Sequence, residues 1–391
     1  MKCISSLIYV VTSFWILSLA AGCKERQAVF AQQPQRADPA PTTQGPADWP
    51  FFRGNALQDG QSPEVLPDHL EVLWKVTTGK QGIEGTAAIV DGVVYLGSFD
   101  KNIYAFDLKT GDVKWKFPAG PFKGSAAVRN GKVYIGDEDG KFFCIQAENG
   151  RKLWQFDTDS QFSAGASFAG ERILIGCEDE NLYCLDDSGK KLWQFNVPGG
   201  PVLASPAVVQ GQTFLAGCDS KLHMIDVKTG QESAAVDIEG QTGCTPAVRG
   251  EVLYLGTQSN QVLAIDTKKK EVAWTFEPPS RQQPFNASAA VTDKFVIIGN
   301  QNKRLYALDR HTGKQAWIFV TEGQVDSSAV ISGQRVYVGS MDGNLYVIDL
   351  NKGTEIQKID LGSPIVASPA VSNSRLVIGT TNGAVYCLGK K

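Results

Sequence analysis

A short apolar run closed by a small residue recurs along this chain, and its period limits what the chain can fold into. The closing residues are Gly97, Gly136, Gly176, Ala216, Gly256, Gly299, Gly339 and Gly379, at spacings of 39, 40, 40, 40, 43, 40 and 40 residues. The segment Gly92–Phe117, GVVYLGSFDKNIYAFDLKTGDVKWKF, shows the unit most clearly. VVYLG alternates, a D-K-N turn follows, NIYAFD alternates again, and D-L-K-T-G turns the chain into a strand ending in W-K-F. Apolar residues two apart on segments of five to seven residues are the pattern of half-buried β-strands. A fixed period of this length marks a repeat architecture, whose copies bury their apolar faces on one another.

The columns of the repeat assign roles. Ten residues past each marker stand Asp107, Gln146, Asp186, Asp226, Asp266, Asp309, Asp349 and Gly389, most of them opening a D-x-x-T-G or D-x-x-x-G turn. A carboxylate there accepts backbone N–H bonds and the glycine supplies positive φ, so these aspartates are turn caps. Seven past the marker runs an aromatic column, Tyr104, Phe143, Tyr183, His223, Leu263, Tyr306, Tyr346 and Tyr386. The last strand carries ring pairs such as Trp115 with Phe117 and Trp154 with Phe156, on one face and able to pack against the next repeat. Repeats four and seven have Ala234/Val236 and Gln357/Ile359 instead, which predicts weaker contacts. Eleven before the marker sit Thr86, Ser125, Gly165, Ser205, Thr245, Ser288, Ser328 and Ser368, small enough for the crowded centre of a radial array.

Four strands per repeat of about 40 residues is the signature of a β-propeller blade. The fold class is therefore all-β, an eight-bladed propeller over residues 68–391. The eighth repeat stops after Val385-Tyr386-Cys387-Leu388, and its missing strand stands before the first repeat as Glu71–Val76. Pairing the two closes the ring and leaves no open edge.

The N-terminal region divides further. Lys2, an apolar run from Leu7 to Leu19 and the small residues Ala20-Ala21-Gly22 before Cys23 resemble a secretory signal over residues 1–22 with a lipidation site at Cys23. An ordinary cleaved signal or an uncleaved anchor are the other readings. Residues 23–47, rich in Gln, Pro, Ala and Thr, read as a disordered tether. Residues 48–67 begin W-P-F-F-R-G-N after Asp48 and read as a clamp over one face or side of the ring.

No repeat carries an evident reacting group. Formal charge is −3, without the basic footprint of a nucleic-acid binder. His223 falls within the aromatic column, His311 in an exposed turn and His69 before the closing strand, and none stands beside a nucleophile. Cys144, Cys184 and Cys387 share one apolar column and read as buried filling. Cys177, Cys218 and Cys244 fall on one face, so Cys218 with Cys244, or Cys177 with Cys218, are pairs that a disulfide would join in an exported protein. No C-x-x-C or nearby histidine supports a metal site. The three-residue insertion between repeats five and six, Glu277–Phe285, makes Pro278, Pro279, Arg281 and Phe285 a candidate partner-binding loop, with a plain connector as the other reading.

Repeats such as Val336–Asp349, VYVGSMDGNLYVID, resemble PQQ-type (pyrroloquinoline quinone) β-propeller repeats, a likeness that runs from about residue 70 to 391. With the Cys23 motif and eight blades, the whole chain is similar to the BamB family, lipoprotein propellers of the bacterial β-barrel assembly machinery. That resemblance implies a non-catalytic scaffold without a cofactor, a monomer within a complex. It implies lipid anchorage to the outer membrane facing the periplasm, with a soluble periplasmic protein as the alternative, and the barrel-inserting subunit as partner. Lys24 after the cysteine, by the same resemblance, implies outer-membrane sorting. The competing reading is a quinoprotein dehydrogenase using pyrroloquinoline quinone and calcium. The adjacent Cys-Cys pair of those enzymes has no counterpart here. A third is a propeller that binds a small molecule or glycan in its central funnel, lined by the Ser/Thr column.

Overall fold

Each repeat folds as an antiparallel meander. In the first, strands Ala88–Val90, Val93–Ser98, Asn102–Asp107 and Val113–Pro118 pair in sequence order, with Ala88 opposite Tyr95, Tyr95 opposite Ala105 and Ala105 opposite Trp115. The computed structural model describes residues 48–79, 81–279 and 282–391, and among these it contains eight such sheets and no helix. The chain is an all-β, eight-bladed propeller. The first strand of each blade lies at the axis and the fourth at the rim. In the eighth blade the rim strand is Glu71–Thr77, running antiparallel to Ala384–Gly389 with Val76 opposite Val385. The ring is thus closed by the two ends of the propeller. The seventh blade gains a fifth strand, Gln61–Ser62, parallel to Val330–Ser332.

The marker glycines are explained by what meets them. A Cβ at Gly97 would stand 2.4 Å from Phe122 Cβ, one at Gly136 2.2 Å from Phe162 Cβ, and one at Gly256 2.4 Å from Phe285 Cβ. Gly379, Gly176, Gly299 and Gly339 meet Ile83, Val202, Val325 and Ile365 at 2.2–2.5 Å. In every case the intruder is the bulky residue of the connector into the next blade. The glycine is the socket and that residue the plug of each inter-blade joint. Ala216 is the one member with a Cβ, and the corresponding connector position holds Thr242, the only residue of that column with a hydroxyl.

A second joint lies at the rim. Trp115 Nε1 donates to the Ala147 carbonyl at 2.8 Å, in the turn of the next blade, and the ring lies on Gly150. Trp74, Trp154, Trp193, Trp274 and Trp317 repeat this at 2.9–3.0 Å. The turn glycine is required twice over. It has positive φ, 75° at Gly150, and a Cβ there would stand 2.8 Å from the indole. Blade four presents Ala234 instead of Trp, and there the turn of blade five carries Lys270 at φ 61°. Gln357 of blade seven replaces its Trp by hydrogen bonds to the backbone of Leu70, accepting from its N–H at 3.0 Å and donating to its carbonyl at 2.8 Å. The contact there is polar rather than absent. The exceptions Ala216 with Thr242 and Ala234 with Lys270 fall together at the junction of blades four and five.

The aspartates at the turns are caps. Asp107 Oδ1 accepts from Lys109 N–H at 2.8 Å and Thr110 N–H at 3.0 Å, and donation from that backbone holds its carboxyl below the usual range. His223 is likewise accounted for. It fills the aromatic column at 5.2 Å from Phe195, with Nε2 2.9 Å from Asp219 and Nδ1 2.6 Å from Glu232. The Tyr104 and Tyr183 hydroxyls make the equivalent bond to Asp100 and Asp179, both at 2.6 Å.

The rim joint makes a prediction. Ala234→Trp alone should destabilise the protein, because the Lys270 side chain occupies the glycine socket; Ala234→Trp with Lys270→Gly should recover the loss and exceed the parent by about 1 kcal/mol. Denaturant unfolding of the two variants measures the coupling, and equal effects with and without the glycine would refute it.

Candidate functional site: a plugged channel and an open funnel

The innermost strands leave one edge unpaired, and their N–H groups face the axis. Residues 48–60 satisfy them at one end. The carbonyls of Trp49, Pro50, Ala56, Leu57, Asp59 and Gly60 accept from the N–H groups of Ile89, Val128, Val208, Val248, Val291 and Ile331, at 2.7–3.0 Å. These donors occupy one column of the repeat, in blades one, two, four, five, six and seven. Blade three is reached by Gln58, whose Nε2 donates to Ser167 Oγ at 3.1 Å, and by Phe51, stacked edge-on to Phe168 at 5.8 Å. The segment is a cross-bar bonded around the ring, and it closes the channel.

Arg53 is the centre of that cross-bar. It is 1% exposed, and its Nη2 donates to the carbonyls of Ala289 at 3.1 Å and Ala329 at 2.6 Å. Burial pushes the guanidinium down to about 10, with the Asp59 carboxylate pulling the other way. Asp59 is itself held by Asn55 at 2.7 Å and by Arg249 at 3.4 Å. The turn closes over the arginine so tightly that a Cβ at Gly60 would overlap Arg53 Nη2 at 1.8 Å.

At the other end the channel is open. The Ser/Thr column forms a belt in which six hydroxyls accept from the N–H of the counterpart one blade back. Thr86 donates to Ser125, Gly165 to Ser205, Ser205 to Thr245, Thr245 to Ser288, Ser288 to Ser328 and Ser328 to Ser368, all at 2.9–3.0 Å. Gly165 interrupts the column, where a Cβ would stand 3.1 Å from Ser205 Oγ, 3.3 Å from Ser125 Cβ and 3.4 Å from Phe52 Cβ. Above the belt is a funnel of about 160 Å³ floored by Phe52, with Glu84, Lys123, Leu203, Asn286, Asp326 and Val366 on its wall. Burial raises the Glu138 carboxyl beside it; Lys123 opposes that rise, while Glu84 and Glu178 add to it. The Asp326 carboxylate accepts from Asn286 at 3.3 Å and Gln301 at 3.0 Å.

This funnel does not fit a quinone cofactor. Its volume lies below the roughly 300–1,000 Å³ of ordinary small-molecule pockets, and the cross-bar blocks extension along the axis. Among the described residues no three His, Cys, Asp or Glu side chains are grouped to hold a metal ion.

The candidate residues are dispersed. Phe285 is fully buried, as the bulky member of the joint on Gly256 and 6.0 Å from Tyr306, so it cannot contact a partner. Pro278 is buried as well; Pro279 is exposed, and Arg281 lies outside the described residues. The insertion had masked a column residue as a loop residue. The Cys218–Cys244 disulfide is also corrected. Both are free thiols, as is Cys177. Cys244 Sγ donates to the Phe285 carbonyl at 3.0 Å, and Cys218 Sγ to the Pro201 carbonyl at 3.6 Å, each toward its own connector. Burial pushes Cys177 up to about 12 and Cys244 up to about 11. Cys23 lies outside the described residues. Sequence reasoning missed Arg53; its only signal was a charged residue inside an apolar W-P-F-F run.

Fold and channel define a PQQ-type propeller with one end of its axis sealed. The family model described as outer membrane protein assembly factor BamB matches residues 67–174, 100–319 and 302–391, and the chain belongs to that family. The outer membrane protein assembly factor BamB of Marinobacter adhaerens is 24% identical over 29% of this chain and 28% of its own length. Quinohemoprotein alcohol dehydrogenase ADH IIB of Pseudomonas putida is 27% identical over 30% of this chain and 20% of its own. The chain spans less than a third of the length of these curated relatives. The crystal structure of BamB from Moraxella catarrhalis superposes with a TM-score of 0.69 at 18% identity, covering 82% of this chain and all of that one, a likeness of fold.

Two expectations follow. Arg53→Met should cost about 1–3 kcal/mol, since two blade carbonyls lose their donor inside the ring; denaturant unfolding measures it, and an unchanged midpoint would refute the bracing role. Without reductant, unfolding should expose Cys144, Cys177, Cys184, Cys218, Cys244 and Cys387, the six cysteines of the described residues, all as reactive thiols, while in the native protein Cys218, the least buried of them, should react fastest with maleimide. A disulfide would show as two missing thiols.

Proposed function

We propose that this protein is a non-catalytic scaffold, exported and anchored through Cys23 to the outer membrane, that presents its funnel face to a protein partner during assembly of outer-membrane β-barrel proteins. Membership of the BamB family supports a scaffold role. The observation that carries the reading is the sealed channel. The cross-bar occupies the axis, leaving a shallow polar recess in place of a cofactor-sized cavity. The described chain begins at Asp48, whose carboxylate accepts from the N–H of Asp91 on the face opposite the funnel.

Crosslinking in native membranes, with the full chain as bait, tests this. Recovery of the barrel-inserting subunit is the expected result; its absence alongside other exported proteins would overturn the assembly role. Cys23→Ala should release the protein from the membrane, and a variant that stays bound would refute lipid anchorage. An absorption band from bound quinone after addition of pyrroloquinoline quinone and calcium would favour the dehydrogenase reading over the scaffold.

A further inference from the structure

The funnel has a chemical sign. Its hydroxyl belt is buried, with Ser205, Thr245 and Ser288 each 3% exposed and Ser328 4%. Each of these hydroxyls accepts one N–H bond from the neighbouring blade, and none donates to any described protein group. Each keeps its hydrogen and a second lone pair for something in the funnel. Serine oxygens can bind an anion or a cation, so the belt alone does not choose. The wall does. Glu84 and Asp326 line it, Glu138 beside it feels the Glu84 and Glu178 carboxylates, and Lys123 is the single base among the described lining residues. A recess with low-dielectric walls focuses that excess of negative charge on whatever enters.

The remaining lining decides the shape of the occupant. Leu203 and Val366 give the wall apolar patches, and the Phe52 ring forms the floor. A long aliphatic stem with a charged tip matches this sequence of surfaces: stem against Leu203 and Val366, tip among hydroxyl oxygens and over an aromatic ring. The volume of about 160 Å³ suits one such side chain.

We infer that the funnel is a socket for a single lysine or arginine side chain of the partner protein, drawn in by Glu84 and Asp326 and opposed by Lys123. This rests on the scaffold reading for the source of the side chain, and on the funnel alone for its chemistry.

The test uses full-length protein and three synthetic pentapeptides, acetyl-Gly-Gly-X-Gly-Gly-amide with X lysine, arginine or norleucine, titrated by calorimetry at low salt. The lysine and arginine peptides should bind, and norleucine should bind at least about tenfold more weakly. Glu84→Gln and Asp326→Asn should each weaken the lysine peptide about fivefold, and Lys123→Gln should tighten it by a similar factor. Raising the salt should weaken all of these. These charge-removing changes should leave the unfolding midpoint in place, which separates lost binding from lost fold. Equal binding of norleucine and lysine, no binding of either charged peptide, or a loss of affinity in Lys123→Gln would overturn the socket. So would spermidine displacing the peptide with much higher affinity, since the occupant would then be a free amine. Crosslinking of the Glu84→Gln/Asp326→Asn variant separates the two ideas. A partner recovered undiminished refutes the socket and leaves the scaffold standing. A wild-type protein that recovers no assembly partner refutes the scaffold, and the peptide titration still decides the socket.

Discussion

The structure depends on satisfying the inner edge of eight sheets. A propeller sets its shortest strands around an axis, and each carries N–H groups with no strand beyond them. Buried and unpaired, such groups cost a few kcal/mol each. This chain answers with two devices at two heights. The hydroxyl belt takes the N–H groups at one level, blade to blade, and the carbonyls of residues 49–60 take those at the other. A belt of side chains leaves the axis open, whereas a cross-bar of backbone fills it. The difference between the two ends of the channel, one sealed and one recessed, follows from that choice.

The same logic explains why a fully buried arginine is tolerated. Its Nη2 alone bridges the Ala289 and Ala329 carbonyls, so one nitrogen ties two adjacent blades together. The desolvation that lowers its proton affinity is offset by Asp59 and by the peptide oxygens around it. Phe52, next to it, reaches the open side and becomes the floor of the funnel. One short segment therefore braces the ring with one residue and shapes the recess with its neighbour.

Periodicity made the fold readable. Repeat length, turn caps, aromatic columns and the transferred closing strand are all visible in one sequence, because each blade states the rule again. Deviations were readable only as deviations. Gln357 read as a weaker contact, and its amide meets the backbone of Leu70, a partner far away in sequence. Phe285 looked like part of an irregular loop because three inserted residues hid its place in a column. The cysteines shared a face, yet facing is not pairing: their sulfurs point into separate connectors. The funnel was harder still. Its wall residues Glu84, Lys123, Leu203, Asn286, Asp326 and Val366 all stand thirteen before their markers, but they share no residue type, so the column carries no signal of its own.

The junction of blades four and five has a consequence for how the ring deforms. It lacks both the glycine socket and the tryptophan latch, and its core relies on aliphatic contacts such as Val236, Ile238 and Leu263. A closed circle of similar joints distributes strain evenly; a circle with one soft joint concentrates it there. The cross-bar passes over that junction at Ala56 and Leu57, bonded to Val208 on one side and Val248 on the other. The segment that seals the axis is thereby also a splint across the joint that has neither socket nor latch.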